Sequence, residues 1–446
     1  MRWRGLASSP FLDGVGGPAH EYTKGGWCHW ERGHPARHLA SRHPAVSGQD
    51  ARAPIDTKDP KGRPVDFSFT PEQQALRKSV IQFAKRELND NLIERDRNSE
   101  FPRENWNKCG AFGIIGLPIP KEYGGQGADT VTTICALEAL GYGCQDNGLI
   151  FSINAHQWTA EIPLLQFGTE EQKRKYLPKL AGGEFVGIQA TTEPTSGSDA
   201  FSLRTRAVKK GDRYVINGSK TFISNAPVAD MIIVNANVDP ARGAAGVTGF
   251  ILDRNTPGFS ISRKLHKMGL RTSPMAELAF EDCEVPESSI LGQVGSGQAI
   301  FTVSMEWERI CILASELGMM QRLLEDSVRY ASTRQKSGCR PVDRSPGIAD
   351  KVAEMDLRLE MARLALYRAA WLKSQGKRPL REAAMAKLAV SRACIDTCMD
   401  AIEIFGPEGT LTANHLERQY RDAISGTLYS GTTEIQKSII ARWHGL

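Results

Sequence analysis

The spacing of apolar side chains changes twice along this 446-residue chain. From Thr70 onward Leu76, Val80 and Phe83 recur at intervals of four and three, the period of an amphipathic helix. Thr70 with Gln73 has the spacing of a capping box, and Pro71 suits the first helical position. Further helices are predicted near 104–112, 129–141, 155–167 and 170–181, the last capped by Thr169. Glu122-Tyr123-Gly124-Gly125-Gln126-Gly127 reads as a turn, because no strand precedes it and the glycine spacing is not that of a phosphate loop. Residues 65–186 are expected to form an N-terminal α-helical domain.

Between 187 and 298 the period shortens. Met231–Val238, Val247–Asp253, Phe259–Arg263 and Ala276–Val285 are short β-rich runs parted by Gly, Pro and Asp. Tyr214–Phe222 contains Asn217-Gly218, the pair favoured in a type I′ hairpin turn. A middle domain built as a small antiparallel barrel or sandwich is expected. From Ala299 the helical period returns: Ile348, Val352, Met355, Leu359, Ala362 and Leu366 alternate spacings of four and three. Long helices are predicted near 299–330, 347–374 and 380–405, with a last one from about Thr432. A C-terminal four-helix bundle over 299–446 completes an α+β chain ordered helices, strands, helices.

The first 64 residues stand apart. They hold five of the nine histidines and three of the eight tryptophans, with no persistent period. No apolar core of a secretory signal is present, and Asp13, Glu21, Glu31, Asp50, Asp56 and Asp59 interrupt anything resembling a transit peptide. We expect a disordered extension over 1–64. The net charge of +5 is small for this length and argues against a nucleic-acid partner. No apolar run is long enough to span a membrane. Nine cysteines without a CxxC pair fit a reduced compartment, expected to be the cytoplasm. Cys394 and Cys398 read as small apolar groups of a helix, and no metal site is expected.

Three polar segments carry the candidate chemistry. They are Thr191-Thr192-Glu193-Pro194-Thr195-Ser196-Gly197-Ser198-Asp199, then Ile216-Asn217-Gly218-Ser219-Lys220-Thr221-Phe222-Ile223-Ser224-Asn225, then Leu428-Tyr429-Ser430-Gly431-Thr432-Thr433-Glu434-Ile435-Gln436. Singly they read as a polar loop, a hairpin and a helix start. In this order and at these spacings they resemble the acyl-CoA dehydrogenase family of flavoproteins, and the resemblance runs from about Val65 to the C-terminus. It implies the α–β–α fold, FAD as cofactor, and removal of an α proton and a β hydride from an acyl thioester. It also implies that Thr191, Thr192 and Ser198 contact the isoalloxazine or the thioester chain. Phe222 matches an aromatic that covers one ring face, and Ser224 matches a hydroxyl near the flavin N5.

The α carbon of a thioester is a weak acid, so its base must be a nearby, partly desolvated carboxylate. Much of the family places a glutamate directly after the tyrosine of a Tyr-Glu-Gly-Thr motif. Here that position is Ser430, and an unassisted hydroxyl is a poor base. Members resembling isovaleryl-CoA dehydrogenase carry the glutamate on an earlier helix and a small residue after the tyrosine. Ser304-Met305-Glu306-Trp307-Glu308-Arg309-Ile310 matches that segment, which puts the base at Glu308. Arg309, Tyr429, Ser430 and Ser198 are then the residues expected beside the substrate. Glu306, two positions away, falls on another helix face. Glu434 is read as structural or FAD-facing.

In the family FAD is shared across a subunit interface, so a homodimer or homotetramer is implied. Arg334 matches an arginine that reaches the neighbour's pyrophosphate, while Gly431 and Thr432 open the last helix, whose N-terminus suits phosphate or ring oxygens. The match frays at Arg334-Gln335-Lys336-Ser337-Gly338, at Cys339, near Ser345-Pro346, and at Glu403 and Gly406-Pro407. Met305-Glu306-Trp307-Glu308-Arg309 and Thr427-Leu428-Tyr429-Ser430-Gly431-Thr432 resemble the biosynthetic branch whose acyl group rides on a carrier protein instead of coenzyme A. An electron-transferring flavoprotein or O2 is the expected acceptor. The rival readings are a flavin-dependent monooxygenase on the same fold and an FAD-poor scaffold protein.

Overall fold

A computed structural model describes residues 68–334 and 345–446, with Pro71–Leu446 forming one unit. The expected 1–64 extension, and the departures from Gln335 to Cys339, lie outside the described residues.

The N-terminal helices follow the apolar period closely. They are α1 (Pro71–Glu87), α2 (Leu92–Asn98), α3 (Arg103–Phe112), α4 (Thr130–Gly143), α5 (Asn147–His156), α6 (Ile162–Phe167) and α7 (Glu170–Ala181). Helix α7 begins where Thr169 and Gln172 close a reciprocal capping box. Helix α4 starts at Asp129, whose side chain accepts from the Thr132 amide. The helix expected over 155–167 is longer and less regular. It starts at α5, capped by Asp146, and passes through a single π-type turn, Gln157–Glu161, into α6.

The middle region is one mixed sheet of eight strands: β1 (Gly187–Ala190), β2 (Arg206–Lys210), β3 (Arg213–Ser224), β4 (Met231–Asn237), β5 (Val247–Asp253), β6 (Phe259–Lys264), β7 (Met275–Pro286) and β8 (Ile290–Leu291). The order is β6-β7-β3-β2-β4-β5-β8, with β1 added on β4. The all-antiparallel expectation needs correction, since β1 and β2 both run parallel to β4. The hairpin expected at Asn217-Gly218 is also displaced. The β2–β3 turn is Gly211-Asp212, with positive φ at Gly211 (64°) and Lys210 paired to Arg213, the pattern of a glycine-first hairpin turn. Asn217 and Gly218 instead sit within β3 at a bulge opposite β7, where Asn217 exchanges hydrogen bonds with Asp282. Both sites are Gly paired with a polar residue, and the pairing partner decides which one turns.

The C-terminal helices are α8 (Gly297–Cys311), α9 (Ala314–Thr333), α10 (Pro346–Ser374), α11 (Leu380–Phe405), α12 (Leu416–Ile424) and α13 (Thr433–Arg442). The single helix expected over 299–330 is two, because Leu313 leaves helical angles (φ −98°, ψ 11°). Ile310, Cys311, Ile312, Leu313 and Ala314 are all buried, so the break lies in a continuous apolar run where no period is visible. Helix α9 packs on α4 through close backbone approach at Gly141 and Gly318. Buried Glu138 of α4 fastens the two regions by accepting from Arg363 Nε (3.0 Å) and Tyr367 (2.8 Å) of α10.

Candidate active site

The first polar segment leaves β1 and is pinned from beneath. Glu193 Oε1 accepts from Lys220 Nζ (2.8 Å) and Thr205 N (3.0 Å), and Oε2 accepts from Arg204 N (2.6 Å). Lys220, with no exposed surface, also donates to the Thr191 carbonyl (2.9 Å). Burial pushes the Glu193 carboxyl up, but Lys220 and the two backbone N–H donors of Thr205 and Arg204 outweigh it and hold the carboxyl below its usual range. Burial pulls Lys220 down to about 8, which still leaves it protonated at neutral pH. This pair is the anchor of the loop, and motif reading passed over it because neither residue belongs to the pattern of ring contacts.

Above the anchor the expected flavin-edge residues separate into two kinds. Thr191 is buried and its hydroxyl accepts from Asn235 (2.7 Å), so it serves the interior of the sheet and only its backbone is left for a ligand. Thr192 and Ser224 are half-buried and Ser198 is exposed; their hydroxyls make no hydrogen bond among the described residues. Phe222 is 63 % exposed on a strand, at positive φ (57°), where β3 slips register against β7. The left-handed backbone costs strain whatever lies nearby, and the exposed ring adds apolar surface that a flat ligand against it would cover. An isoalloxazine fits this set, with an aromatic platform and unspent hydroxyls at its edge.

The second cluster lies on the C-terminal helices. Glu308 projects from the last turn of α8 and is only 6 % exposed. Burial pushes its carboxyl up to about 7, against the opposing pull of Arg309, the Ser430 hydroxyl and Lys387. Ser430 Oγ is buried, and it lies near the carboxylate without a hydrogen bond of ordinary geometry. Ser430 and Gly431 are both left-handed, with φ of 54° and 90°. Their carbonyls are held from several sides: Arg309 Nε donates to Ser430 O (3.3 Å), Gln436 Nε2 to both, and Lys387 Nζ to Gly431 O (2.7 Å). Thr432 caps α13, accepting from Ile435 N.

Tyr429 packs at a tilt against Phe151 of α5, with ring centroids 4.8 Å apart, and donates to Glu316 Oε1 (3.1 Å). Glu316 is a second acid pushed up to about 7 by burial. Sequence reasoning missed both Glu316 and Lys387. The signal for Lys387 was its place on an apolar helical stripe with Ala383, Val390 and Cys394, all buried.

Glu306 takes the other face of α8, as its spacing implies, paired with Lys373 (2.8 Å) and Arg378 (3.2 Å). These three line an open cleft of about 580 Å³ together with Thr302, Trp307 and Lys377. Trp307 stacks flat on buried Trp158 at 5.7 Å. Arg334 is not part of either cluster. It ends α9, where Glu408 pairs with it at 2.8 Å and Tyr330 lies under its guanidinium. Glu403, unfavourable beside a phosphate if bare, is paired with Lys351.

Three family models match in chain order. The acyl-CoA dehydrogenase N-terminal domain matches residues 70–184, the middle domain 189–283 and the C-terminal domain 295–445. The chain belongs to the acyl-CoA dehydrogenase family. An L-prolyl-[peptidyl-carrier protein] dehydrogenase of Pseudomonas fluorescens is 42% identical, aligned over 85% of this chain and 99% of its own. The crystal structure of the prolyl acyl carrier protein oxidase AnaB superposes with a TM-score of 0.83 at 48% identity, over 85% of this chain and 100% of that one. The FAD complex of PigA superposes with a TM-score of 0.83 at 36% identity, over 86% and 100% of the two chains. Among the described residues, no helix is long and apolar enough to cross a membrane.

Proposed function

We propose that this chain catalyses the FAD-dependent α,β-dehydrogenation of an acyl thioester carried on coenzyme A or on a carrier protein, with Glu308 removing the α proton. One observation carries the reading: a buried glutamate at 308 is set against a small residue at 430. A carboxyl near 7 is half ionised at neutral pH and strongly basic for its type, which is what a general base needs. The relatives bear names of both kinds, prolyl-carrier-protein dehydrogenases and acyl-CoA dehydrogenases, and they support an acyl thioester on either carrier.

When bound, FAD supplies the two-electron acceptor for the β hydrogen. Phe222 offers the ring face, and Thr192, Ser198 and Ser224 offer hydroxyls to its edge, with the Thr191 backbone beside them. Gly431 and Thr432 present the N-terminus of α13 to ring or phosphate oxygens. Arg309, Tyr429 and Ser430 would border the acyl group, and the tilted Tyr429–Phe151 ring pair closes that side against water. Turnover needs a terminal acceptor, an electron-transferring flavoprotein or O2. We read 65–186, 187–298 and 299–446 as the three domains, in line with the three matched segments. An oligomer is supported by Leu357, Met361 and Leu364, exposed apolar residues along one face of α10 that suit a second copy of the chain. Arg334 serves the neighbour's pyrophosphate in that oligomer only by giving up Glu408.

The test is anaerobic mixing of the FAD-loaded protein with a panel of acyl-CoA and acyl-carrier thioesters. One class is expected to bleach the flavin. Glu308→Gln is expected to keep the flavin absorbance and to slow bleaching about 10²–10⁴-fold, the usual share of a general base. Near-normal bleaching by that variant refutes the base, and a flavin that no thioester bleaches refutes the substrate class.

A further inference from the structure

A lysine in the middle of a buried helical face is an anomaly. Lys387 is 1 % exposed on α11, between Ala383, Ala384 and Ala386 on one side and Val390 and Ser391 on the other. Its ammonium has three donors, and one is used, on the Gly431 carbonyl at 2.7 Å. Among the described residues no carboxylate pairs with it within salt-bridge distance. Burying such a charge costs stability, and an apolar side chain of similar length would cost less. Its place is therefore explained by what it does to its surroundings.

Several charged and titratable groups face it. Helix α8 contributes Glu308 and Arg309, with Glu306 turned to the opposite face. Helix α9 contributes Glu316, and the loop before α13 contributes Tyr429, whose ring lies 5.7 Å from the ammonium. Cys394 on α11 and Asp422 on α12 act on Glu316 and Tyr429 from behind. Of these, Glu308 exerts the largest electrostatic pull on the lysine. The bond to Gly431 also grips a loop with two consecutive left-handed residues, one of them Ser430, whose hydroxyl lies near Glu308.

We propose that Lys387 is a positioning residue for the base: its bond to Gly431 sets the Tyr429–Thr432 loop beside Glu308, and its buried ammonium places a positive charge behind that loop that favours the carboxylate form of the base. The proposal rests on Glu308 being the base. It separates two roles that substitution can split. Lys387→Gln keeps a donor for Gly431 and removes the charge. Lys387→Met removes both and suits a buried helix position. Lys387→Arg keeps the charge.

The experiment is the rate of anaerobic flavin bleaching by the thioester, as a function of pH, in the full-length FAD-loaded protein and these variants. A positive neighbour lowers the pH at which Glu308 ionises, so losing it moves the acidic limb of the profile upward. For Lys387→Gln we expect about a 10-fold loss at pH 6.5 and under about a 3-fold loss at pH 9, corresponding to roughly one unit of limb displacement. Lys387→Met is expected to show the same displacement with an added, pH-independent loss from the freed loop. Lys387→Arg is expected to restore the position of the limb. A limb unmoved in either neutral variant, or a loss uniform across pH, overturns the proposal. If Lys387→Gln does not fold, Lys387→Met decides the matter alone. Glu308→Gln in parallel keeps the two claims apart: an active Glu308→Gln removes the base assignment, whereas an inactive one beside unmoved limbs removes only the role of Lys387.

Discussion

Two buried glutamates, each near a buried lysine, behave in opposite ways in this molecule. Glu193 in the middle sheet touches Lys220 directly at 2.8 Å and accepts two backbone N–H groups besides. Its carboxyl is held below the ordinary range. Glu308 on α8 has no cation in contact with its oxygens among the described residues, only the nearby Ser430 hydroxyl and the more distant fields of Arg309 and Lys387. Its carboxyl rises to about 7. Their exposures are similar, at 4 % and 6 %, but Glu308 is enclosed more deeply, so heavier desolvation and fewer donors on the charged form act in the same direction. A buried acid whose lone pairs are filled is a structural anchor, and one left short of partners is available for proton transfer.

The comparison breaks first at the anchor. Glu193→Ala leaves Lys220 charged and buried with one carbonyl as its remaining partner. Removing one half of a buried pair costs about 3–5 kcal/mol. A large fall in the apparent melting temperature is expected, together with loss of FAD, because the Thr191–Asp199 loop loses the group that ties it down. Thermal unfolding monitored by circular dichroism and by flavin release measures both. A destabilisation under about 1 kcal/mol would mean that the pair is not the anchor described here.

What the sequence made legible divides along the same line. Local periodicity placed α7 at 170–181 and β5 at Val247–Asp253 with the boundaries found in the structure. Motif reading reached Glu308 through its correlation with Ser430, a relation between two short segments. Relations through space were out of reach. Strand β2 (Arg-Ala-Val-Lys-Lys) has a single buried position and so no alternation to detect. Whether Gly211 or Gly218 makes the hairpin turn depends on how β3 pairs with β2 and β7, which no local pattern encodes. Lys220 and Lys387 were missed because a lysine in a strand or helix ordinarily points to water. For Lys220 only the fold reveals that it does not, whereas Lys387 sits on an apolar helical stripe that the spacing of Ala383, Val390 and Cys394 already marks.

The second way to sharpen the contrast is stability against pH. Glu308 has a folded value of about 7 against 4.5 for the free side chain. Below the unfolded value the group is protonated in both states and contributes nothing. As pH rises through this window the unfolded chain ionises first, so the folded protein loses stability until the folded carboxyl also ionises. The accumulated cost above pH 7 is on the order of 3 kcal/mol. Glu308→Gln, which mimics the neutral acid, is therefore expected to melt higher than the parent at pH 8, with the two converging near pH 4. Glu193 has the opposite sign, since its lowered value contributes stability that is lost as pH falls. Melting curves of the FAD-loaded proteins across that range check both signs. A Glu308→Gln variant less stable than the parent at pH 8 would show that the carboxylate is well satisfied, and the distinction between the two acids would collapse.

The smallest expected effect probes the last donor on Glu308. Ser430→Ala removes a hydroxyl that favours the charged carboxylate and that makes no bond of ordinary geometry elsewhere. The left-handed backbone at 430 is as awkward for Ala as for Ser, so the fold should be little changed. One neutral hydrogen bond contributes about 0.5–1.5 kcal/mol. The acidic limb of flavin bleaching should then move upward by up to about one pH unit, in the same direction as for Lys387→Gln. Neither displacement should respond to salt. A hydroxyl acts through contact and a charge through its field, but both lie in a buried site where added salt screens little. Equal limb displacements at low and high salt in both variants would confirm that Glu308 is governed from inside the protein. A limb that moves downward in Ser430→Ala would mean that the hydroxyl instead accepts from the protonated Glu308 carboxyl, and that it favours the neutral form of the acid.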